Sequence, residues 1–114
     1  MPSSSPLPSF KAEFFKALGH PVRIRILETL VAGDRSVQEL QEALSLDQPT
    51  VSQQLAVLRA KSIVAPSKSG TSIRYAVRDP LIRDLLEVAR RIFNNQLIGS
   101  QSMLRELRRE RPRR

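Results

Sequence analysis

Apolar residues recur at helical spacing along most of the chain. Phe10, Phe14 and Leu18 fall at i, i+4 and i+8, with Phe15 beside them and Lys11, Glu13 and Lys16 on the other face, so the spacing predicts a first helix over 10–18. Gly19 is a natural stop. Pro21 suits the first position of a second helix, where its missing N–H costs nothing. Val22, Ile26 and Leu30, widened by Ile24, Leu27 and Val31, form that helix's apolar face, and Ala32-Gly33-Asp34 ends it. Ser36-Val37-Gln38-Glu39 reads as a capping box that opens a short third helix with Val37, Leu40, Ala43 and Leu44 as its stripe. Asp47 caps a fourth helix with Pro49 in its first turn and Val51, Leu55 and Leu58 at i, i+4 and i+7, ending near 60–62.

The period then changes. Ile63-Val64-Ala65 and Ile73-Arg74-Tyr75-Ala76-Val77 are β-type runs, and the polar linker 67–72 between them predicts a hairpin with a basic tip. Asp79 and Pro80, as N-cap and first position, open a last helix that runs at least to Ile98. Leu81, Leu85, Val88, Ile92 and Leu97 mark one stripe, which Ile82, Leu86, Ala89 and Phe93 widen. Gly99-Ser100 either ends or bends this helix, and 101–108 extend it with Met103, Leu104 and Leu107 on the apolar side. The order α-α-α-α-β-β-α is mainly helical with a small hairpin, an α+β fold in the winged helix-turn-helix layout. Residues 1–9 are rich in Pro and Ser and are expected to be disordered; 10–98 form the domain; 99–114 form a basic extension, partly helical or disordered.

Composition narrows the functions. A chain of 114 residues with 40% hydrophobic content holds one modest core, of a size often completed by a second subunit. No apolar run is long enough to span a membrane, and Met1-Pro2-Ser3-Ser4-Ser5-Pro6 lacks the basic and apolar regions of a secretory signal, so a cytoplasmic protein is expected. The net charge of +8 favours a polyanion such as nucleic acid. Six Arg and two Glu in 105–114 supply half of it, so the body is only mildly basic. The absence of cysteine removes disulfides, thiolate switches and Cys-based metal sites. No cofactor or metal site is expected.

The segment Phe15-Lys16-Ala17-Leu18-Gly19-His20-Pro21-Val22-Arg23-Ile24-Arg25-Ile26-Leu27 resembles the opening motif of the ArsR-type family of bacterial transcriptional regulators. Gln48-Pro49-Thr50-Val51-Ser52-Gln53-Gln54-Leu55-Ala56-Val57-Leu58-Arg59 resembles that family's recognition helix, and the hairpin from Ile63 to Val77 its wing. The likeness covers roughly 10–98. It implies a homodimer that binds a palindromic operator and usually represses transcription. The chain departs from the metal-sensing members: it has no Cys-x-Cys, and its last helix carries Asp79, Asp84 and Glu87 but no His. The family's thiolate and imidazole sensing therefore does not carry over.

With Val51, Leu55 and Leu58 inward, the fourth helix turns Pro49, Gln53, Ala56 and Ala60 outward, with Thr50 and Ser52 on the flanks. Its early exposed residues are short, polar and uncharged, which suits a major groove. Gln bonds adenine bidentately, and Thr or Ser reaches bases or phosphates. Gln48, Thr50, Ser52 and Gln53 are thus the candidate base and phosphate contacts, and Lys68 and Arg74 the candidate wing contacts. The surplus apolar surface of the first and last helices makes Phe10, Phe14, Leu85, Val88, Ile92 and Phe93 the candidate dimer interface. His20 reads as a packing or capping residue, and Asp79, Asp84 and Glu87 as a solvated face.

An enzyme is disfavoured, because no nucleophile–base pair and no Gly-rich phosphate loop is present. A winged helix that binds protein would need apolar side chains on the exposed face of the fourth helix, where only Ala56 and Ala60 stand. The effector stays open between a small molecule at the dimer interface, an oxygen-ligated cation and none at all.

Overall fold

The structure, a computed structural model, describes residues 5–110. The chain divides after Asp79 into two compact units. The first holds α1 (Leu7–Leu18), α2 (Pro21–Leu30), β1 (Arg35–Ser36), α3 (Val37–Leu44), α4 (Gln48–Ala60), β2 (Val64–Ser69) and β3 (Ser72–Val77). The second holds α5 (Leu81–Gln96), a 3₁₀ turn (Leu97–Gly99) and α6 (Gln101–Arg109).

Helix α1 begins at Leu7, three residues ahead of the expected Phe10, so 7–9 are helical rather than disordered. Pro8 falls in the first turn, where no N–H is needed, the Leu7 N–H donates to Ser5 Oγ at 3.2 Å, and the Phe10 N–H donates to the Pro6 carbonyl at 2.9 Å. A Pro/Ser composition that reads as disorder serves here as a helix start. Residues 1–4 of the expected disordered segment lie outside the described residues. His20 caps α2, its Nδ1 accepting from the Val22 N–H at 3.1 Å.

The capping box of α3 forms in both directions. Ser36 Oγ accepts from the Glu39 N–H at 3.1 Å, and Glu39 Oε1 accepts from the Ser36 N–H at 3.0 Å. This second bond, more than the nearby Arg74, holds the Glu39 carboxyl below the ordinary carboxylate range. Ser45 ends α3 in a left-handed conformation, φ 56°, and α4 starts after Asp47. Asp47 Oδ1 accepts from the Thr50 N–H at 3.1 Å. At its far end Ser62 is left-handed, φ 59°, and the Ile63 N–H returns to the Leu58 carbonyl at 3.0 Å.

The sheet is ordered β1-β3-β2, all antiparallel. The hairpin is tighter than expected. Ser69 pairs with Ser72 across a two-residue turn, and Gly70 at φ 63° supplies the positive φ that such a turn needs at its first position. Pro66 sits in β2, at an edge, where its missing N–H breaks no ladder. The two-residue β1 has no period to read and was not expected; it pairs Arg35 with Tyr75 and Ser36 with Arg74.

The core of the first unit is built from α2, α3, α4 and the start of β2: Ile26, Leu27, Leu40, Val51, Leu55, Leu58 and Val64 are at most 1% exposed. Burying each such side chain contributes about 1.5–3 kcal/mol. In the second unit, α5 starts at Leu81 with Pro80 in the capping position, one residue later than expected. The fixed φ of Pro80 is already helical, so the boundary slides over it. The chain breaks at Ser100, φ −121° and ψ 97°, and resumes as α6, so Gly99-Ser100 ends one helix and opens the next. Arg90 of α5 donates to the Leu107 carbonyl of α6.

Two outcomes follow for stability. Leu55→Ala is expected to cost about 2–5 kcal/mol in urea unfolding, because a fully buried side chain leaves a cavity. Glu39 and Asp47 both titrate below their ordinary values in the folded chain, so their contribution is present above the unfolded values and lost as pH falls through the folded ones. Glu39→Gln with Asp47→Ser keeps both caps without the charge. Thermal unfolding of this double variant is expected to lose less between about pH 7 and about pH 3 than that of the unaltered chain.

Candidate nucleic-acid interface

Three core residues set the rotation of α4 and so decide what it shows to solvent. Val51, Leu55 and Leu58 are buried; Gln48, Pro49, Gln53, Ala56 and Ala60 are exposed; Thr50 and Ser52 are half-buried. Gln48 Nε2 donates to Ser52 Oγ at 2.6 Å, one turn on, so the structure brings these two candidates together. Gln53 stands exposed beside them. Thr50 is engaged locally: its hydroxyl and then its N–H hold the Asp47 carboxyl below the ordinary range. The helix therefore offers amide and hydroxyl groups from its first two turns.

The expected wing cations part company. Lys68 is exposed, but it lies on β2 opposite Ile73 rather than at the tip, because the turn is only Gly70-Thr71. Arg74 has another task. Its Nε lies 3.3 Å from Asp34 Oδ2, and its Nη2 donates to Glu39 Oε1 at 2.9 Å and to the Asp34 carbonyl at 3.1 Å. The two carboxylates push the Arg74 guanidinium further toward the charged form. One Glu39 oxygen thus serves the α3 cap and the wing together. Arg74 fastens the hairpin to the start of α3.

Between α4 and the hairpin lies an open groove of about 370 Å³, lined by Ser52, Leu55, Ala56, Arg59, Ala60 and Tyr75. Arg59 and Tyr75 were not among the expected contacts. Helical spacing alone puts Arg59 on the face of Ser52, seven residues earlier. A cation in the last turn has a sufficient alternative in the helix dipole, which hid that signal.

Sequence reasoning also passed over Arg23. Its Nε donates to the Ala17 carbonyl at 2.8 Å, its Nη2 to the Lys16 carbonyl at 3.4 Å, and its Nη1 to Gln54 Oε1 at 2.9 Å. Arg25 Nη2 donates to the Leu44 carbonyl at the end of α3 at 3.0 Å. Both arginines donate to last-turn helix carbonyls, of which that of Lys16 also accepts from the Gly19 N–H at 3.1 Å. On the surface, Glu13 of α1 pairs with Lys61 at 3.5 Å.

The candidate interface residues of α1 and α5 are partly open to water. Phe10 is 72% exposed, Val88, Ile92 and Phe93 about half, while Phe14 and Leu85 are half-buried. Phe14 packs edge-on to Phe15, ring centroids 5.4 Å apart. Glu87 pairs with Arg91 at 3.9 Å, and no three potential metal ligands gather among the described residues. No helix among them is long and apolar enough to cross a membrane.

The family model described as bacterial regulatory protein, arsR family, matches residues 20–65. Over 106 residues the chain is 46% identical to the uncharacterized HTH-type transcriptional regulator Rv0081 of Mycobacterium tuberculosis, covering 92% of this chain and 93% of that protein. The crystal structure of Rv0081 superposes with a TM-score of 0.77 at 47% identity, over 84% of this chain and 97% of the other. The biofilm growth-associated repressor of Xylella fastidiosa is 39% identical over 85 residues, 75% of each chain. The homodimeric winged helix-turn-helix DNA-binding domain Mb0332 of Mycobacterium bovis superposes with a TM-score of 0.75 at 25% identity, over 85% of this chain and 94% of that one. With its winged helix-turn-helix order and a relative matched almost end to end, the chain belongs to the arsR family of bacterial regulatory proteins and is a transcriptional regulator rather than an enzyme.

Proposed function

We propose that the chain acts in the cytoplasm as a homodimeric repressor, each protomer laying α4 in the major groove of one half of an inverted repeat. The observation that carries this is the exposed face of α4, polar and uncharged over its first two turns and bordered by a groove that ends on Arg59 and Tyr75. Gln53 reads a base edge; Gln48 and Ser52, already bonded to each other, serve bases or phosphates as a pair; Thr50 sits at the helix start near the backbone. Lys68 meets phosphate from the wing, and the arginine-rich 105–114 add sequence-blind attraction. Arg74 supports the wing from behind.

The dimer has its own support. In the first unit Phe10 exposes apolar surface with Phe14 half-buried on the same helix, and in the second unit Val88, Ile92 and Phe93 do so with Leu85 half-buried on theirs. A two-fold axis would set two α4 helices about 34 Å apart, one turn of DNA. The relatives named as a repressor and as a homodimeric DNA-binding domain point the same way.

Binding of variants to operator and scrambled DNA over a salt series tests the assignment. Gln53→Ala is expected to cost about 1–3 kcal/mol on the operator and to relax one operator position. Equal loss on both DNAs would make Gln53 a backbone contact. Lys68→Gln is expected to weaken both DNAs alike and to lower the salt slope by about 2 for a dimer. Arg74→Gln is expected to weaken binding with the slope unchanged, because its charge is spent on Asp34 and Glu39. A drop in slope with Arg74→Gln would place it on phosphate instead.

A further inference from the structure

We infer that Arg23 is a positioning residue for operator reading, acting through Gln54 on α4; the inference rests on the function proposed above. Arg23 belongs to α2 and does not line the groove beside α4. Its guanidinium joins two other helices: Nε and Nη2 take the Ala17 and Lys16 carbonyls at the end of α1, and Nη1 takes Gln54 Oε1 on α4. A planar fork holds its partners in one geometry, which a lysine ammonium does not.

The apolar contacts of Val51, Leu55 and Leu58 keep α4 against the core, but such contacts are not directional. They set which face of α4 points inward, and a roll of a few degrees keeps that face inward. The same roll matters at the reading face. Side-chain ends lie about 5–6 Å from a helix axis, so a roll of about 10° moves them by about 1 Å, more than the roughly 0.5 Å tolerance of a binding constellation. Gln54 follows Gln53 in sequence and is half-buried where Gln53 is exposed. Its bond to Arg23 is directional and lies beside the apolar stripe, so it narrows the roll that the core sets. The far anchor of that bond is the end of α1, the helix that carries Phe10. The angle of the reading face is therefore referred to a helix of the proposed subunit interface rather than to α4's own neighbours alone.

The test uses the full chain with Gln54→Met, Arg23→Lys and both together. Binding to an operator duplex and to a scrambled duplex is measured over a salt series, beside thermal unfolding. Each single change is expected to lower the operator-over-scrambled ratio about tenfold, with scrambled binding and salt slope unchanged. The double variant is expected to lose no more than either single one, because both break the same link. Losses that add, or a loss confined to the Gln54 variant, overturn the inference and make Gln54 a direct contact. Equal losses on both DNAs that follow the melting temperature overturn it in favour of plain stability. An unaltered chain that does not distinguish the two duplexes overturns the proposed function and the inference with it.

Discussion

Burial of three side chains on one edge of α4 is the constraint from which the rest follows. Val51, Leu55 and Leu58 are within 1% of complete burial, and at 3.6 residues per turn that choice leaves Gln48, Gln53 and Ala56 no direction but outward. The caps then fix where the helix starts. Asp47 takes the Thr50 N–H and Pro49 occupies the turn in which an N–H is dispensable, so the polar residues fall in the first two turns. Those turns are where a helix entering a groove end-on meets its target.

The arginines of the first unit do structural work that the net charge conceals. Arg23 and Arg25 close the C-terminal ends of α1 and α3, and Arg74 closes the angle between the hairpin and α3. Each donates to carbonyls or carboxylates at the end of a helix or at its cap. A net charge of +8 thus overstates the basic surface of this unit. In the function proposed above, discrimination falls to amides and hydroxyls on α4, and generic attraction to Lys68 and the arginine-rich 105–114. The Glu39 carboxylate ties these systems together, since it accepts from the Ser36 N–H and from Arg74 at once.

The elements with strong period or chemical punctuation were legible in the sequence. The capping box at Ser36, the Asp47 cap and the stripe of α4 appear where spacing put them. What escaped is what long-range pairing decides. Strand β1 is two residues long and exists only because Tyr75 and Arg74 lie beside it. The start of α1 was hidden by Pro and Ser, which favour both disorder and a first helical turn. At the candidate site, the outward face of α4 followed from its inward one. The commitment of Arg74 to Asp34 and Glu39 did not, because Asp34 lies forty residues away in sequence. Arg23 was legible as part of a motif and not as a link, for the same reason: Gln54 lies 31 residues on.

The decisive measurement is binding of the full, metal-free chain to the DNA upstream of its own gene, followed by fluorescence anisotropy against a scrambled duplex. A homodimeric repressor prefers the upstream DNA by about 10³ or more, with two protomers per site. Weak binding, equal on both duplexes and abolished by salt, would contradict it.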